Sequence, residues 1–159
     1  MPEPRSGTSI QIMPDGLSER EYMIKFMQEF DTKWNEDAQI TNQTGHELLI
    51  SREMFTDHKT GASKIKRGGR FHYLLYIADT VKNPDEIRLE SGDYQDETLY
   101  LLSRYLIRGK LTHIITAYKK TGALWTGWSG YQSTSETYFE TKGRSVAVQA
   151  GMMSGSIDI

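Results

Sequence analysis

The sequence predicts an α+β domain in which N-terminal helices pack on one face of a four-stranded antiparallel sheet. Two observations lead there. Apolar residues recur at helical spacing in two early segments, and after Asn83-Pro84 the period changes to that of strands joined by short turns. With 159 residues the chain is long enough to bury one core without covalent staples.

Residues 1–16 carry Pro2, Pro4 and Pro14 and no apolar period, so they read as a flexible leader outside the core. Leu17, Tyr22, Ile24, Phe26, Met27 and Phe30 then mark a first helix over Ser18 to Trp34, with Glu19 and Glu21 in its first turn. Asn42 to Gly45 is turn chemistry. Leu48 to Ile50 after it is either a strand or the lead-in to a short turn around Arg52 to Phe55.

Thr60 to Gly69 is rich in glycine and lysine and reads as a loop. Phe71, Leu74, Leu75 and Ala78 place a second helix over Arg70 to Val81, stopped by Asn83-Pro84 because proline lacks the amide donor. Four strands follow, over Glu86 to Glu90, Thr98 to Ile107, Leu111 to Tyr118 and Leu124 to Ser129. The turns at Ser91 to Asp93, Gly109-Lys110 and Thr121-Gly122 make them an antiparallel meander. A third helix is expected over Ser135 to Lys142. The domain then spans 17–150, with 151–159 a flexible tail. Helices on one face leave the other face of the sheet open, a surface on which single-stranded bases can stack.

Composition narrows the chemistry. There is no cysteine and the four histidines are scattered, so neither a metal centre nor another cofactor is expected. Apolar runs are short and interrupted by Arg104, Arg108 and Lys110, which argues against a membrane span or a signal peptide. The expected location is cytoplasmic or virion-associated, as a domain excised from a longer polypeptide. The formal net charge is -2, but ten of the nineteen cations fall in two windows free of acids, His58 to Ala78 and Leu99 to Ser135. Such windows suit a local phosphate-binding face as well as ordinary solvated loops.

Three stretches carry a resemblance: ELLISREMF from Glu47, TGASKIKRGGR from Thr60, and YLLYIADTVKNPDEI from Tyr73. Together they resemble the core signature of the phage-barnase-EndoU-colicin-RelE-like nucleases, type two, with PDEI the most specific piece. The hairpin from Leu111 to Ser129 and the stretch from Tyr138 to Arg144 are similar to that family's closing elements, so the likeness covers about Phe26 to Arg144. The resemblance implies a barnase/RelE-like fold and an RNA-cleaving activity, with transfer RNA among the candidate substrates. Domains of this kind sit at the C-terminal end of phage head-morphogenesis or minor capsid proteins, or serve as toxin warheads. The implied protein partners are an immunity protein or a phage capsid protein.

Cleaving RNA without a metal requires a base for the 2'-hydroxyl, an acid for the leaving oxygen, and cations for the phosphorane charge. His58, beside Lys59 at the edge of the basic loop, titrates near neutrality and is the first candidate for base or acid. Arg70 and Arg104 are assigned to phosphate, since guanidinium grips two oxygens at once. Thr126 and Tyr138 complete the catalytic set, as a hydroxyl donor and as a stacking or proton-transfer group. Lys59, Lys64, Lys66, His113 and Trp128 are assigned to substrate binding. Trp125 and Trp128, three apart in a strand, should lie on opposite faces, one in the core and one exposed. The rival readings are a non-catalytic virion or interaction domain holding nucleic acid or a capsid partner and, well below it, an ADP-ribosyl transferase, for which no acid stands in a nucleotide-binding frame.

Overall fold

The structure is a computed structural model that describes residues 4–6, 9–91, 97–135 and 144–147. The predicted α+β class holds: two α-helices and a mixed sheet share one core. The elements in chain order are β1 (Arg5–Ser6), α1 (Glu19–Gln28), β2 (Ala38–Thr41), β3 (Glu47–Ile50), 3-10 turns over Arg52–Phe55 and Arg67–Tyr73, α2 (Leu74–Lys82), β4 (Glu86–Ser91), β5 (Glu97–Ile107), β6 (Lys110–Thr121), β7 (Leu124–Ser133) and β8 (Arg144–Ala147). Among the described residues no helix is long and apolar enough to cross a membrane.

The expected meander is present as β4 to β7, each strand antiparallel to the next. The sheet is nevertheless larger than four strands. It runs β2-β3-β7-β6-β5-β4-β8, with β1 added parallel to β5 at Tyr105 and Leu106. The hairpin of β2 and β3 joins through a parallel pairing of Leu48 and Leu49 with Trp125 and Thr126, which makes the sheet mixed. Strands as short as Ala38–Thr41 carry too few apolar positions to show a period of their own.

Helix α1 starts as expected. Ser18 and Glu21 form a reciprocal capping box, and Tyr22, Met23, Phe26 and Met27 turn inward. It ends at Gln28, short of Trp34, because Asp31 adopts a left-handed φ of 56° that a helix cannot continue through. Helix α2 begins at Leu74 rather than Arg70. Gly68 and Gly69 take left-handed φ values of 63° and 74°, a kink that interrupts the 3-10 winding of Arg67–Tyr73 and holds the α-helix off until Leu74.

Helix residues Leu74, Ile77, Ala78 and Val81 pack with Leu99, Leu101, Tyr105, Ile114 and Tyr118 on one face of the sheet. The opposite face is not open, contrary to expectation. Tyr100, Leu102, Ile115 and Ala117 on that side are only 7, 0, 0 and 8 % exposed and form a second small cluster with Tyr131. The physical reason is visible in the chain. Leu99 to Leu102 is an unbroken apolar run, the mark of a strand buried on both faces.

The predicted leader also belongs to the fold where it is described. Met13 is buried, its amide donates to the His72 carbonyl, and the Tyr22 and Tyr76 hydroxyls hold the carbonyls of Pro14 and Ile10. Arg5 reaches Asp79 at 3.1 Å, Asp85 at 3.2 Å, the Ser103 hydroxyl and the Asn83 carbonyl, while the Tyr105 hydroxyl donates to Asp79. Burial raises the Asp85 carboxyl above its ordinary range, and Arg5 opposes that rise. A guanidinium beside two carboxylates thus ties the first strand to the end of α2. The third helix expected over Ser135 to Lys142 and the tail 151–159 lie outside the described residues, except that Ser135 is not helical.

Candidate nucleic-acid interface and active site

Strand β3 pairs with β7 only at Trp125 and Thr126, so among the described residues no strand lies beside the edge of β7 beyond them. The basic loop fills that place. His58 Nε2 donates to the Trp128 carbonyl at 3.1 Å, Lys64 Nζ to the Ser129 hydroxyl at 3.3 Å, and Arg70 Nη1 to the Gly130 carbonyl at 3.3 Å. Gln132 Nε2 returns a bond to the Gly68 carbonyl at 2.9 Å. Four contacts within residues 128–132 thus convert a glycine- and lysine-rich loop into a fixed wall.

Asp57 organises the loop internally. Its carboxylate accepts the Lys59 and Thr60 amides at 2.9 and 3.2 Å and the Arg67 guanidinium at 3.0 Å. These bonds, the Lys59 amide first and Arg67 next, hold its pKa down to about 2. Thr56 and Ser63 close the loop with an isolated antiparallel bridge.

In β7 the pairing slips between Ala117 and Tyr118, which face Ser129 and Gly127 and leave Trp128 as the extra residue of a bulge. The bulge aims its indole at the loop, where His58 stacks on it with ring centroids 3.7 Å apart and planes 11° from parallel. Because a carbonyl oxygen only accepts, Nε2 carries the proton in neutral His58 and Nδ1 keeps the lone pair. Nδ1 stands 3.9 Å from Glu53 Oε2, beyond a hydrogen bond.

Beside it the positive charge is crowded. Lys64 has its pKa lowered by burial first, then by the charges of Arg70 and Arg67, with only Asp57 opposing. The Arg70 guanidinium lies 5.8 Å from the centre of the Tyr131 ring, so one cation borders both the loop and the second face of the sheet. Cations held this close attract an anion.

Of the residues singled out from sequence, His58, Lys64, Arg70 and Trp128 converge on this edge. Arg104 and His113 do not. They are cross-strand neighbours on the second face, and His113 is completely buried. Thr126 lies on the side of Lys119 and donates to the Thr121 hydroxyl. Lys59 is exposed in the loop, and Lys66 points its ammonium toward Tyr22, 5.9 Å from the ring centre. Tyr138 lies outside the described residues. Trp125 packs against the core and Trp128 is 39 % exposed, as their spacing predicts.

Sequence reasoning missed Glu53, Asp57, Arg67 and Tyr131. Asp57 had a readable signal, an Asx residue ahead of Lys59 and Thr60 in a loop. Glu53 and Tyr131 reach the site only through long-range packing. Among the described residues no three of His, Cys, Asp and Glu are grouped as a metal ion would require.

Compared with known proteins, residues 25–148 match the model of one family, described as phage-Barnase-EndoU-ColicinE5/D-RelE like nuclease2. No curated protein and no protein of solved structure matches the chain.

Proposed function

Because the chain belongs to the phage-Barnase-EndoU-ColicinE5/D-RelE like nuclease2 family, we propose that it cleaves RNA by acid-base chemistry at the edge of β7 where the basic loop docks. The observation that carries this reading is the crowding of Lys64, Arg67 and Arg70 against a single carboxylate, beside a histidine of fixed tautomer. Nδ1 of His58 takes the proton of a ribose 2'-hydroxyl, whose oxygen attacks the adjacent phosphorus. The 5'-oxygen of the next nucleotide leaves with a proton from the Lys64 ammonium, which is regained through solvent as the imidazolium releases its own, and a 2',3'-cyclic phosphate remains. Lys64 and Arg70 neutralise the extra charge of the phosphorane. Trp128 and Tyr131 offer ring faces for bases. Arg104, His113 and Thr126 stay outside the chemical step in this reading.

The test is incubation of the protein with end-labelled transfer RNA and bulk RNA in EDTA, alongside His58→Ala and Arg70→Ala. Cleavage by the unaltered chain should survive chelation, and His58→Ala should lower the rate by about 10²–10⁴. Salt-sensitive binding with no cleavage would instead mark a domain that holds nucleic acid without cutting it.

A further inference from the structure

The 3-10 turn Arg67–Tyr73 has a second end. Arg70 faces β7, whereas His72, two residues on, faces the leader and donates from Nε2 to Asp15 Oδ1 at 2.9 Å. Beyond His72 lies a cavity of about 500 Å³ that does not belong to the loop site. Four separate segments build it: residues 12–15, His72 and Tyr73, the β5–β6 turn, and Thr134 just past the end of β7.

The polar side of this cavity is cationic. Arg108 and Lys110 enter from the β5–β6 turn, and the one carboxylate in the lining, Asp15, already holds His72. Arg108 takes a φ of 52° ahead of Gly109 at 76°, so an arginine occupies a left-handed position that asparagine or glycine fills at lower cost. The turn's geometry alone does not call for that side chain. The remaining wall, from Ile12, Met13, Ile107 and Tyr73, is apolar and aromatic. Two cations and an apolar, aromatic wall in one cavity match a phosphate joined to a base.

Position adds the second argument. The strand edge that carries the loop contacts at Trp128, Ser129 and Gly130 leads directly to Thr134, roughly 13 Å beyond Gly130 at ~3.3 Å per residue. A strand of RNA that runs parallel to β7 over the docked loop, with its reacting phosphate at Lys64 and Arg70, therefore continues into the cavity.

We propose that this cavity is a second nucleotide subsite, in which Arg108 and Lys110 bind a phosphate of the same single-stranded RNA downstream of the loop site. The assignment rests on the function proposed above, and it makes the substrate an extended single strand rather than a dinucleotide.

The experiment measures binding of fluorescent 2'-O-methyl oligonucleotides, which lack the attacking hydroxyl, to the unaltered protein, to Arg70→Ala, and to Arg108→Asn with Lys110→Gln. Asparagine suits the left-handed turn position, so the double variant keeps its hairpin, and thermal melting verifies this. The unaltered protein should bind a hexanucleotide more tightly than a dinucleotide. The double variant should lose that gain, keep dinucleotide binding, and show a salt slope lower by about 0.7 for the one lost phosphate contact. A double variant with the same length dependence and slope as the unaltered protein overturns the subsite while leaving the loop site intact. If Arg70→Ala has no effect and the double variant alone loses binding, the loop site fails and the cavity is a nucleotide site by itself.

Discussion

His58 lies flat on Trp128, 3.7 Å between ring centres, and its Nε2 is bonded to the carbonyl of the same residue. One residue thus fixes both the plane of the imidazole and its tautomer. The bulge that turns the indole outward is a prerequisite of the arrangement.

Replacing Trp128 by alanine removes the stacked surface but leaves the carbonyl. The contact itself is worth about 0.5–1.5 kcal/mol, so the fold should survive with a small loss of thermal stability. RNA cleavage should fall by roughly tenfold or more, because a displaced base loses alignment. Trp128→Phe should recover much of the rate. Equal rates for all three proteins would separate the stack from catalysis.

The Asp57 carboxyl is held at about 2, below its ordinary 3.8, so the folded loop favours the ionised form. The sign follows directly: the loop's order is fully present above pH 3.8 and is lost as the pH falls through about 2. Proton NMR of the Lys59 and Thr60 amides should show their hydrogen-bonded shifts persisting below pH 3.8, with a midpoint near 2. Asp57→Asn should abolish that transition and loosen the loop at neutral pH, seen as faster amide exchange. A midpoint at the ordinary value would contradict the three bonds assigned to this carboxylate.

Gly127 and Gly130 are set by packing from the side of the helices. A Cβ on Gly127 would stand 2.6 Å from Met54 Cγ, and one on Gly130 would stand 2.9 Å from Ile77 Cγ2. Gly127→Ala should therefore destabilise by about 1–3 kcal/mol in chemical denaturation. Met54→Ala made in the same chain should relieve part of that loss, giving a cycle that departs from additivity by about 0.5 kcal/mol or more. Strict additivity would show that Met54 is not what excludes the side chain.

Much of this architecture is legible in the chain. The capping box at Ser18 and Glu21, the stop at Asn83-Pro84 and the turns of the meander are local signals, and each element they delimit is present. What failed was non-local. The apolar run from Leu99 to Leu102 supplies two buried faces, so the sheet face expected to be open to RNA carries an apolar cluster of its own. The prolines of residues 1–16 signal a leader, but Arg5 and Met13 are held by partners more than fifty residues away, beyond the reach of any short pattern. His58, Lys64 and Arg70 were accessible because they share one loop, and their side chains meet only where β3 stops short along β7.

The two glycines of β7 set the height of that strand above the helices to within the thickness of a methyl group. The same strand carries His58, Lys64 and Arg70 on its edge, so the hydrophobic interior acts as a gauge block for the reactive groups. Substitutions at Met54 or Ile77 that preserve the fold would still move the strand, and the cations with it. In a lineage of such domains, activity would drift with the volume of residues that never meet the substrate.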